Sequence, residues 1–280
     1  MNIRNIKTIA FQGIEGANSH LACNKLFPKA KTISCETFEE VFECVKTNKS
    51  NIGLIPVENS VAGRVAEIHT LMHKTPLKIV GEYFMKVELH LMALEGTKIN
   101  QLKNVHSHIH ALSQCSKFIK KNRLKKIISG DTALAAKEIS DNQNYHNSAI
   151  ASKLASKIYN LKILKKNVED STQNTTRFIL LQKKPLKIDA SKGKVLTSII
   201  FNVNNIPAAL HKALGCFAIN NVNMTKLESY VSNTFKQAEF YLDIEGNIDD
   251  SDVSSALEEI KEYTKSVKVL GSYYADKFRK

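Results

Sequence analysis

The feature that most constrains this 280-residue chain is a change of rhythm near residue 190. Before it, short apolar runs alternate with helix-patterned segments. Residues 7–12 read as a strand, residues 13–16 (Gly-Ile-Glu-Gly) as a turn and residues 18–27 as a helix. Thr37 and Glu40 form a capping-box pattern, and Phe38, Val41, Phe42 and Val45 follow at helical spacing. Residues 52–57 predict a short buried strand that ends at a polar turn, Glu58-Asn59-Ser60. Extended segments over 79–94 follow. Val105 leads into a polar turn and a helix in which Ala111, Cys115 and Phe118 share a face. Ile127-Ile128 reads as a strand. Asp131 is a candidate N-cap for a helix that buries Leu134, Ala135 and Ile139. Residues 149–155 and Ile163-Leu164 continue the alternation, and residues 178–181 close it as a strand. Alternation of this kind predicts α/β layers on a largely parallel sheet.

Residues 185–193 are lysine-bearing and poorly patterned, and read as a linker. Beyond them the order is strand (195–203), helix from Pro207 with Leu210, Leu214 and Phe217 on one face, strands 224–231 and 238–244 joined by Ser232-Asn233-Thr234, helix 253–263, and strand 267–273. Six elements as βαββαβ within about 80 residues are the ferredoxin-like split motif. Proline suits a first helical turn.

Composition narrows the function classes. A hydrophobic content of 43% with 24% charged residues is that of a globular protein with a core, and no apolar run approaches the roughly 20 residues that span a bilayer. Residues 1–7 are polar and carry no secretion-type pattern, so the expected location is cytoplasmic. The five cysteines are scattered and never spaced C-x-x-C, which argues against a disulfide framework or a zinc site. The net charge of +13 is spread along the chain; its densest runs, 117–126 and 162–166, carry no nucleic-acid motif. No membrane or nucleic-acid partner is expected.

In open α/β sheets ligands bind beyond the carboxyl ends of strands. The polar turns that follow apolar strands are residues 13–19, Glu58-Asn59-Ser60, Ser107-His108 and Asp131-Thr132, while residues 174–177 precede a strand. Several open helices, whose first amides suit an anion. A cleft for a small, polar, anionic molecule is expected. Each element also has a plainer reading: Gly13 and Gly16 as turn glycines, Glu58-Asn59-Ser60 as a cap for the next helix, Arg177 as a surface residue. His106, His108 and His110 recur every second residue but lack an acidic or cysteine partner nearby, so no metal is expected. The G-x-S-x-G elbow, P-loop and G-x-G-x-x-G fingerprint are absent.

Together these turns resemble the motif set of prephenate dehydratases. Residues 10–19 (AFQGIEGANS) resemble the opening G-x-x-G-x-x-S loop, and residues 55–60 (IPVENS) the P-x-E-N-S segment. Ser107-His108 with Ala111-Leu112 and Gln114-Cys115 resembles S-H-x-x-A-L-x-Q-C, and residues 131–136 resemble the T-A-x-A-A helix start. Thr176-Arg177-Phe178 matches T-R-F, preceded by Glu169-Asp170 and Asn174. Residues 205–210 (NIPAAL) resemble the N-x-P-G-A-L of an attached ACT regulatory domain, and Leu227-Glu228-Ser229 its I-E-S-R-P. Ile109 stands where the family often has proline, Ala208 where it has glycine, and Tyr230-Val231 where it has Arg-Pro. The last two departures bear on phenylalanine feedback.

The resemblance covers nearly the whole chain. It implies a two-lobed, periplasmic-binding-protein-like catalytic domain over 1–185 and a ferredoxin-like ACT domain over 194–280, with no mutase domain in front. It implies a lyase without metal or redox cofactor, which removes carbon dioxide and water from prephenate to give phenylpyruvate in phenylalanine biosynthesis. Thr176 is implied as the essential residue, its hydroxyl assisting the departing oxygen, with Arg177 and Phe178 beside it. Arg177 pairs with a carboxylate or is structural. Glu58, Asn59, Ser60, Ser107, His108, Thr132 and Asn174 are the implied substrate contacts. Phenylalanine is implied as an effector bound between subunits of a homodimer or homotetramer, at Asn205, Ala209, Leu210, Asn223, Leu227, Glu228 and Ser229. The alternatives are the sister activity on arogenate, a non-catalytic amino-acid-sensing binding protein, and a regulator, which would need a helix-turn-helix the sequence lacks.

Overall fold

The structure is a computed structural model describing residues 6–231 and 238–279. Its elements in chain order are β1 (Thr8–Gln12), α1 (Asn18–Leu26), β2 (Lys31–Cys35), α2 (Phe38–Lys46), β3 (Ile52–Asn59), β4 (Gly63–Arg64), α3 (Ala66–Lys74), β5 (Lys78–Lys86), β6 (His90–Ala93) and β7 (Asn104–Ser107). Then come α4 (Ile109–Gln114), α5 (Ser116–Lys121), β8 (Lys125–Ile128), α6 (Thr132–Asn142), β9 (Asn147–Ala151), α7 (Lys153–Ile158), β10 (Lys162–Lys165) and β11 (Thr175–Gln182). The last six are β12 (Val195–Val203), α8 (Ala209–Ile219), β13 (Met224–Val231), β14 (Ala238–Glu245), α9 (Ser251–Glu259) and β15 (Thr264–Tyr274). The turn expected at Ser232-Asn233-Thr234 lies outside the described residues.

The described chain groups into two compact units. One holds residues 6–65 and 84–178 and is built on two sheets. In the first, β1 lies between β2 and β3 and pairs with both in parallel, and the start of β11 follows β3. The second has the order β10-β6-β9-β7-β8. There β7 pairs in parallel with β8 and β9, whereas β6 runs antiparallel to β9 and to β10, so the largely parallel expectation needs correcting for this sheet. The reason is connectivity: the chain enters β6 from the long β5 and leaves it through a turn, without the helical crossover that a parallel neighbour requires. Each sheet buries an apolar layer. Leu89, Leu91, Val105, Leu112, Cys115, Ile119 and Ile150 cluster on the second sheet beneath α4 and α5, and Ala133, Ala135, Ala136, Ile139, Ala149 and Ala151 pack α6 on its other side. Small alanines let α6 approach the sheet closely, which fixes where its first turn points. Leu134 is only half-buried, contrary to expectation.

The other unit holds residues 66–83 and 179–279. Its four-stranded antiparallel sheet has the order β13-β14-β12-β15. Helices α8 and α9 cover one face, with Phe201, Phe217, Leu242, Val253 and Ile260 in the shared core. Helix α8 starts later than expected. Pro207 precedes the N-cap, and the N-cap is Ala208 at φ +62°, with no side-chain cap. This is left-handed backbone, which costs an alanine about 1–2 kcal/mol. Among the described helices none is long and apolar enough to cross a membrane.

Candidate active site

A cleft of about 560 Å³ opens within the first unit, between its two sheets. From the first sheet it is lined by Gln12, Gly13, Ile14, Asn18 and Ser19 after β1, by Ser34, Cys35 and Glu36 at the end of β2, and by Pro56 and Asn59 of β3. Thr176 and Phe178 of β11 lie beside them, with Asn174 just before that strand. The second sheet contributes His108, His110, Ala111 and Gln114 around α4, and Asp131, Thr132 and Leu134 around the start of α6. Val87 and Leu89 lie on the connection into β6.

The β1–α1 turn is built by its glycines. Gly13 (φ +110°) and Gly16 (φ +92°) hold left-handed conformations, and a Cβ on Gly16 would lie 3.0 Å from the Ala155 Cα. The gap left by the missing side chain lets α7 close in. The Ser152 hydroxyl donates to the Gly16 carbonyl at 2.6 Å, and the Tyr159 hydroxyl donates to the Glu15 carbonyl at 2.7 Å. Helix α1 therefore starts at the cleft with an Ala17 N-cap that offers no side-chain acceptor. Helix α6 starts there too, but its Asp131 Oδ1 accepts from the amides of Ala133 (2.5 Å) and Leu134 (3.1 Å).

Across the cleft floor runs a chain of side-chain amides. Asn59 Oδ1 accepts from the amides of Val61 (2.9 Å) and Ala62 (2.8 Å), which fixes its orientation. Its Nδ2 then donates to Thr176 Oγ1 at 3.0 Å and to Asn174 Oδ1 at 2.7 Å. Asn174 Nδ2 donates on to Gln114 Oε1 at 2.8 Å. Because Thr176 Oγ1 accepts from Asn59, its own hydroxyl proton is left for another acceptor. His108 Nδ1 accepts from the His110 amide at 3.3 Å. Burial lowers the His108 pKa from the usual imidazole value and His110 lowers it further, against the opposing effect of Asp131. Among the described residues no lysine or arginine lines this cleft, despite the +13 net charge of the chain, and two carboxylates, Glu36 and Asp131, do.

Of the expected site residues, Asn59, His108, Thr132, Asn174, Thr176 and Phe178 come together here. Glu58, Ser60, Ser107 and Arg177 do not line it. The polar turn expected at Glu58-Asn59-Ser60 is the end of β3 and the start of a hairpin with β4, where Glu58 pairs with Arg64 and Asn59 with Gly63. Likewise Thr175, Thr176 and Arg177 belong to β11 rather than preceding it. Side chains alternate along a strand, so Asn59 and Thr176 face the cleft while Glu58 and Arg177 face away. Arg177 is 1% exposed and its guanidinium lies 3.5 Å from Glu58 Oε1. The Ser60 hydroxyl donates to the Gln173 carbonyl at 2.5 Å and accepts from the Thr175 amide at 2.9 Å, sewing the hairpin to β11. Ser107 is fully buried and donates to the Ile150 carbonyl at 2.6 Å.

Residues 9–186 match the family profile of prephenate dehydratase. The chain belongs to the prephenate dehydratase family. The family's reaction is that of a carbon–oxygen lyase, so the chain falls in that enzyme class. A bifunctional N-acyl-homoserine lactone acylase/prephenate dehydratase of Komagataeibacter europaeus is 37% identical over 275 residues, covering 98% of each chain. Arogenate dehydratase 2 of Petunia hybrida is 35% identical over 285 residues, covering 96% of this chain and 72% of that one. In fold, the chain matches a prephenate dehydratase from Arthrobacter aurescens solved in complex with L-Phe, at a TM-score of 0.88 and 24% identity, over 95% of this chain and 90% of that one.

Sequence reasoning missed Ser34, Cys35 and Glu36, because β2 has no clean apolar alternation. It also missed His110, weighed only as a metal ligand, and Gln114, present in a family motif but not assigned a contact. The expected effector residues lie in the other unit. Asn205 is exposed in the loop before α8, and Ala209 is buried in its first turn with Leu210 half-buried after it. Asn223 is exposed ahead of β13, and Leu227, Glu228 and Ser229 lie along that strand. Tyr230 donates to Glu228 at 2.6 Å and stacks on His69, with ring centroids 3.2 Å apart.

Proposed function

We propose that this chain is a prephenate dehydratase, converting prephenate to phenylpyruvate with loss of carbon dioxide and water. The observation that carries the reading is Thr176. Its hydroxyl lies in the cleft, accepts from Asn59 Nδ2 at 3.0 Å, and so has its proton free to give to a leaving oxygen. In the reaction the bond between the ring and its carboxylate breaks to release carbon dioxide. Its electron pair moves through the ring to complete the aromatic system, and the ring carbon–oxygen bond breaks at the opposite end. Hydroxide is a poor leaving group. A donor held on that oxygen lowers the barrier, and positioned acid catalysis contributes about 10²–10⁴-fold. Accepting from Asn59 polarises the Thr176 O–H toward donation.

The remaining tasks are orientation and exclusion of water. With no lysine or arginine on the walls among the described residues, the substrate carboxylates are met by backbone amides. The uncapped start of α1 supplies donors with the helix dipole behind them. Asn59, His108, Thr132 and Asn174 are substrate contacts in this reading, and Phe178, Val87 and Leu89 give the lining an apolar part that keeps the departing carboxylate poorly hydrated. Glu58, Arg177, Ser60 and Ser107 hold the frame. The acylase half of one relative's name is not carried over. Thr176 Oγ1 has an amide rather than a base beside it, and burial, with neighbouring Cys44 and Glu40, pushes the Cys35 thiol up to about 12.

A second reading, arogenate dehydratase, is favoured by the acceptors in the cleft. Arogenate carries an ammonium where prephenate has a keto group. Glu36, Asp131 and the buried Asn18 Oδ1, which has no hydrogen-bond partner among the described residues, are groups an ammonium would satisfy. Incubation with each substrate, with ultraviolet detection of phenylpyruvate and chromatographic detection of phenylalanine, decides between them. Prephenate is expected to turn over with the higher kcat/KM. Preference for arogenate would establish the second reading, and turnover of neither would remove the enzymatic one.

Residues 1–185 form the catalytic domain and residues 194–280 a phenylalanine-sensing ACT domain in this proposal, in a cytoplasmic homodimer or homotetramer. β13 lies at the end of its sheet's strand order, the position from which a second copy would extend the sheet. Asn205, Ala209, Leu210, Asn223, Leu227, Glu228 and Ser229 are the proposed effector residues. Calorimetry with phenylalanine tests this: binding heat and inhibition are expected, and neither at millimolar effector would leave a structural module.

A further inference from the structure

Two thiols meet at the edge of the cleft. Cys35 ends β2 and lines the cleft; Cys44 lies in α2, and the two sulfurs are 3.8 Å apart. The other three cysteines, Cys23, Cys115 and Cys216, are buried. Cys44 is half-buried, so it is the thiol of the pair that solvent oxidants meet along α2.

The segment around Cys35 belongs to the cleft wall. Ser34, Cys35 and Glu36 all line it. The Ser34 hydroxyl donates to the Gly13 carbonyl, and the Gly13 amide donates to the Cys35 carbonyl at 2.9 Å. Gln12 Nε2 donates to the Glu36 carbonyl at 3.2 Å, and the Glu36 amide donates to Glu40 at 2.9 Å. The end of β2 is thereby tied both to the β1–α1 turn and to the first turn of α2. A disulfide needs its sulfurs at about 2.05 Å, so closing the pair brings the two sulfurs together by well over an ångström, a change shared between the side-chain torsions and the backbone of β2 and α2. Whatever moves Cys35 moves this part of the wall.

We propose that Cys35 and Cys44 form a reversible disulfide that switches the cleft between two shapes. The oxidant is hydrogen peroxide. The Cys44 thiolate attacks a peroxide oxygen: a sulfur–oxygen bond forms, the oxygen–oxygen bond breaks, and hydroxide leaves and takes up the thiol proton as water. The Cys35 sulfur then attacks the Cys44 sulfenic acid. The sulfur–sulfur bond forms, the sulfur–oxygen bond breaks, and a second water leaves with the Cys35 proton. Both thiols are oxidised by two electrons together, and one peroxide is reduced to two waters. A dithiol reductant reverses it. The buried Cys35 thiol, pushed up to about 12, is a poor first nucleophile and suits the resolving role. In a reducing compartment such a bond is transient, as a switch requires.

The bond chemistry stands independently of the substrate assignment; only the effect on turnover rests on the catalytic reading. The test treats the full chain with hydrogen peroxide, then maps peptides by mass and measures turnover before and after dithiothreitol. Expected is a peptide linking Cys35 to Cys44 with loss of two hydrogens, and a fall in kcat/KM of about tenfold or more, since an ångström of misplacement is enough for such losses. Both are expected to reverse on reduction. Cys44→Ser is expected to keep the basal rate and to lose both the link and the peroxide response. Peroxide that drives Cys44 to sulfinic acid without the link would overturn the proposal. A link that forms with turnover unchanged would overturn the switch, and if the untreated chain turns over neither substrate, the catalytic reading fails while the link is still scored by mass.

Discussion

Two polar pairs sit one residue apart on the neighbouring strands β3 and β11, and they do different work. Asn59 and Thr176 face the cleft, where every polar atom is aimed at a neighbour or at the space a substrate would fill. Glu58 and Arg177 face the other way, with Arg177 1% exposed. In the sequence all four look alike, as polar residues in family motifs. The strand period of two sorts them, placing one pair on the cleft, where the proposed function puts the chemistry, and the other pair away from it.

The comparison breaks most visibly at Thr176. Thr176→Ala is expected to lose about 10²–10⁴-fold in kcat while melting near the parent temperature, as read by a phenylpyruvate assay beside calorimetry. Arg177→Met is expected to do the reverse. Removing a buried partner of Glu58 costs about 2–4 kcal/mol by denaturant melts, while kcat of the folded fraction is expected within about threefold of the parent, because Arg177 does not line the cleft. A large kcat loss with unchanged stability in Arg177→Met would merge the two pairs into one.

Acid sharpens the contrast, because Asn59 and Thr176 do not titrate and several buried imidazoles do. Burial lowers the pKa values of His20, His69, His90 and His106. For His69 this holds against Glu239, which lies 2.5 Å from Nε2; the neutral imidazole donates there, and its buried Nδ1 has no hydrogen-bond partner among the described residues. The unfolded chain therefore binds protons that the folded chain refuses. Stability is complete above pH of about 6.5 and falls as pH drops below it through the lowered folded values. Urea melts across pH 5–8 check this; a midpoint that rose on acidification would contradict it.

The smallest expected effect compares two helix starts. Helix α6 is capped by Asp131, whereas α8 starts on left-handed Ala208 with no cap. Ala208→Gly is expected to stabilise the chain by up to about 1 kcal/mol by relieving that strain, less the entropy glycine adds to the unfolded state. Denaturant midpoints read it.

Much of this was legible in the sequence. The change of rhythm gave the βαββαβ unit, the strand ends pointed to the cleft, and Asp131 announced its helix. Boundaries were lost where polar residues end strands. The strands β3 and β11 run on through Glu58-Asn59 and Thr175-Thr176-Arg177 because those side chains find partners across the pair, a long-range fact that local pattern does not carry. The segment Ser34-Cys35-Glu36 was missed for a related reason: β2 lies at the sheet's edge and needs no strong apolar alternation. The antiparallel β6 was equally hidden, since strand direction follows from the path of the connection and not from the strand's own residues.

The most direct measurement compares Thr176→Ser with Thr176→Val under single-turnover conditions, with prephenate saturating and folding verified by circular dichroism. A hydroxyl that assists the departing oxygen predicts that serine keeps the rate within about tenfold, while valine, matched in shape but without the donor, falls at least 10²-fold. Equal rates in the two variants would show that the side chain at 176 serves only to fill space.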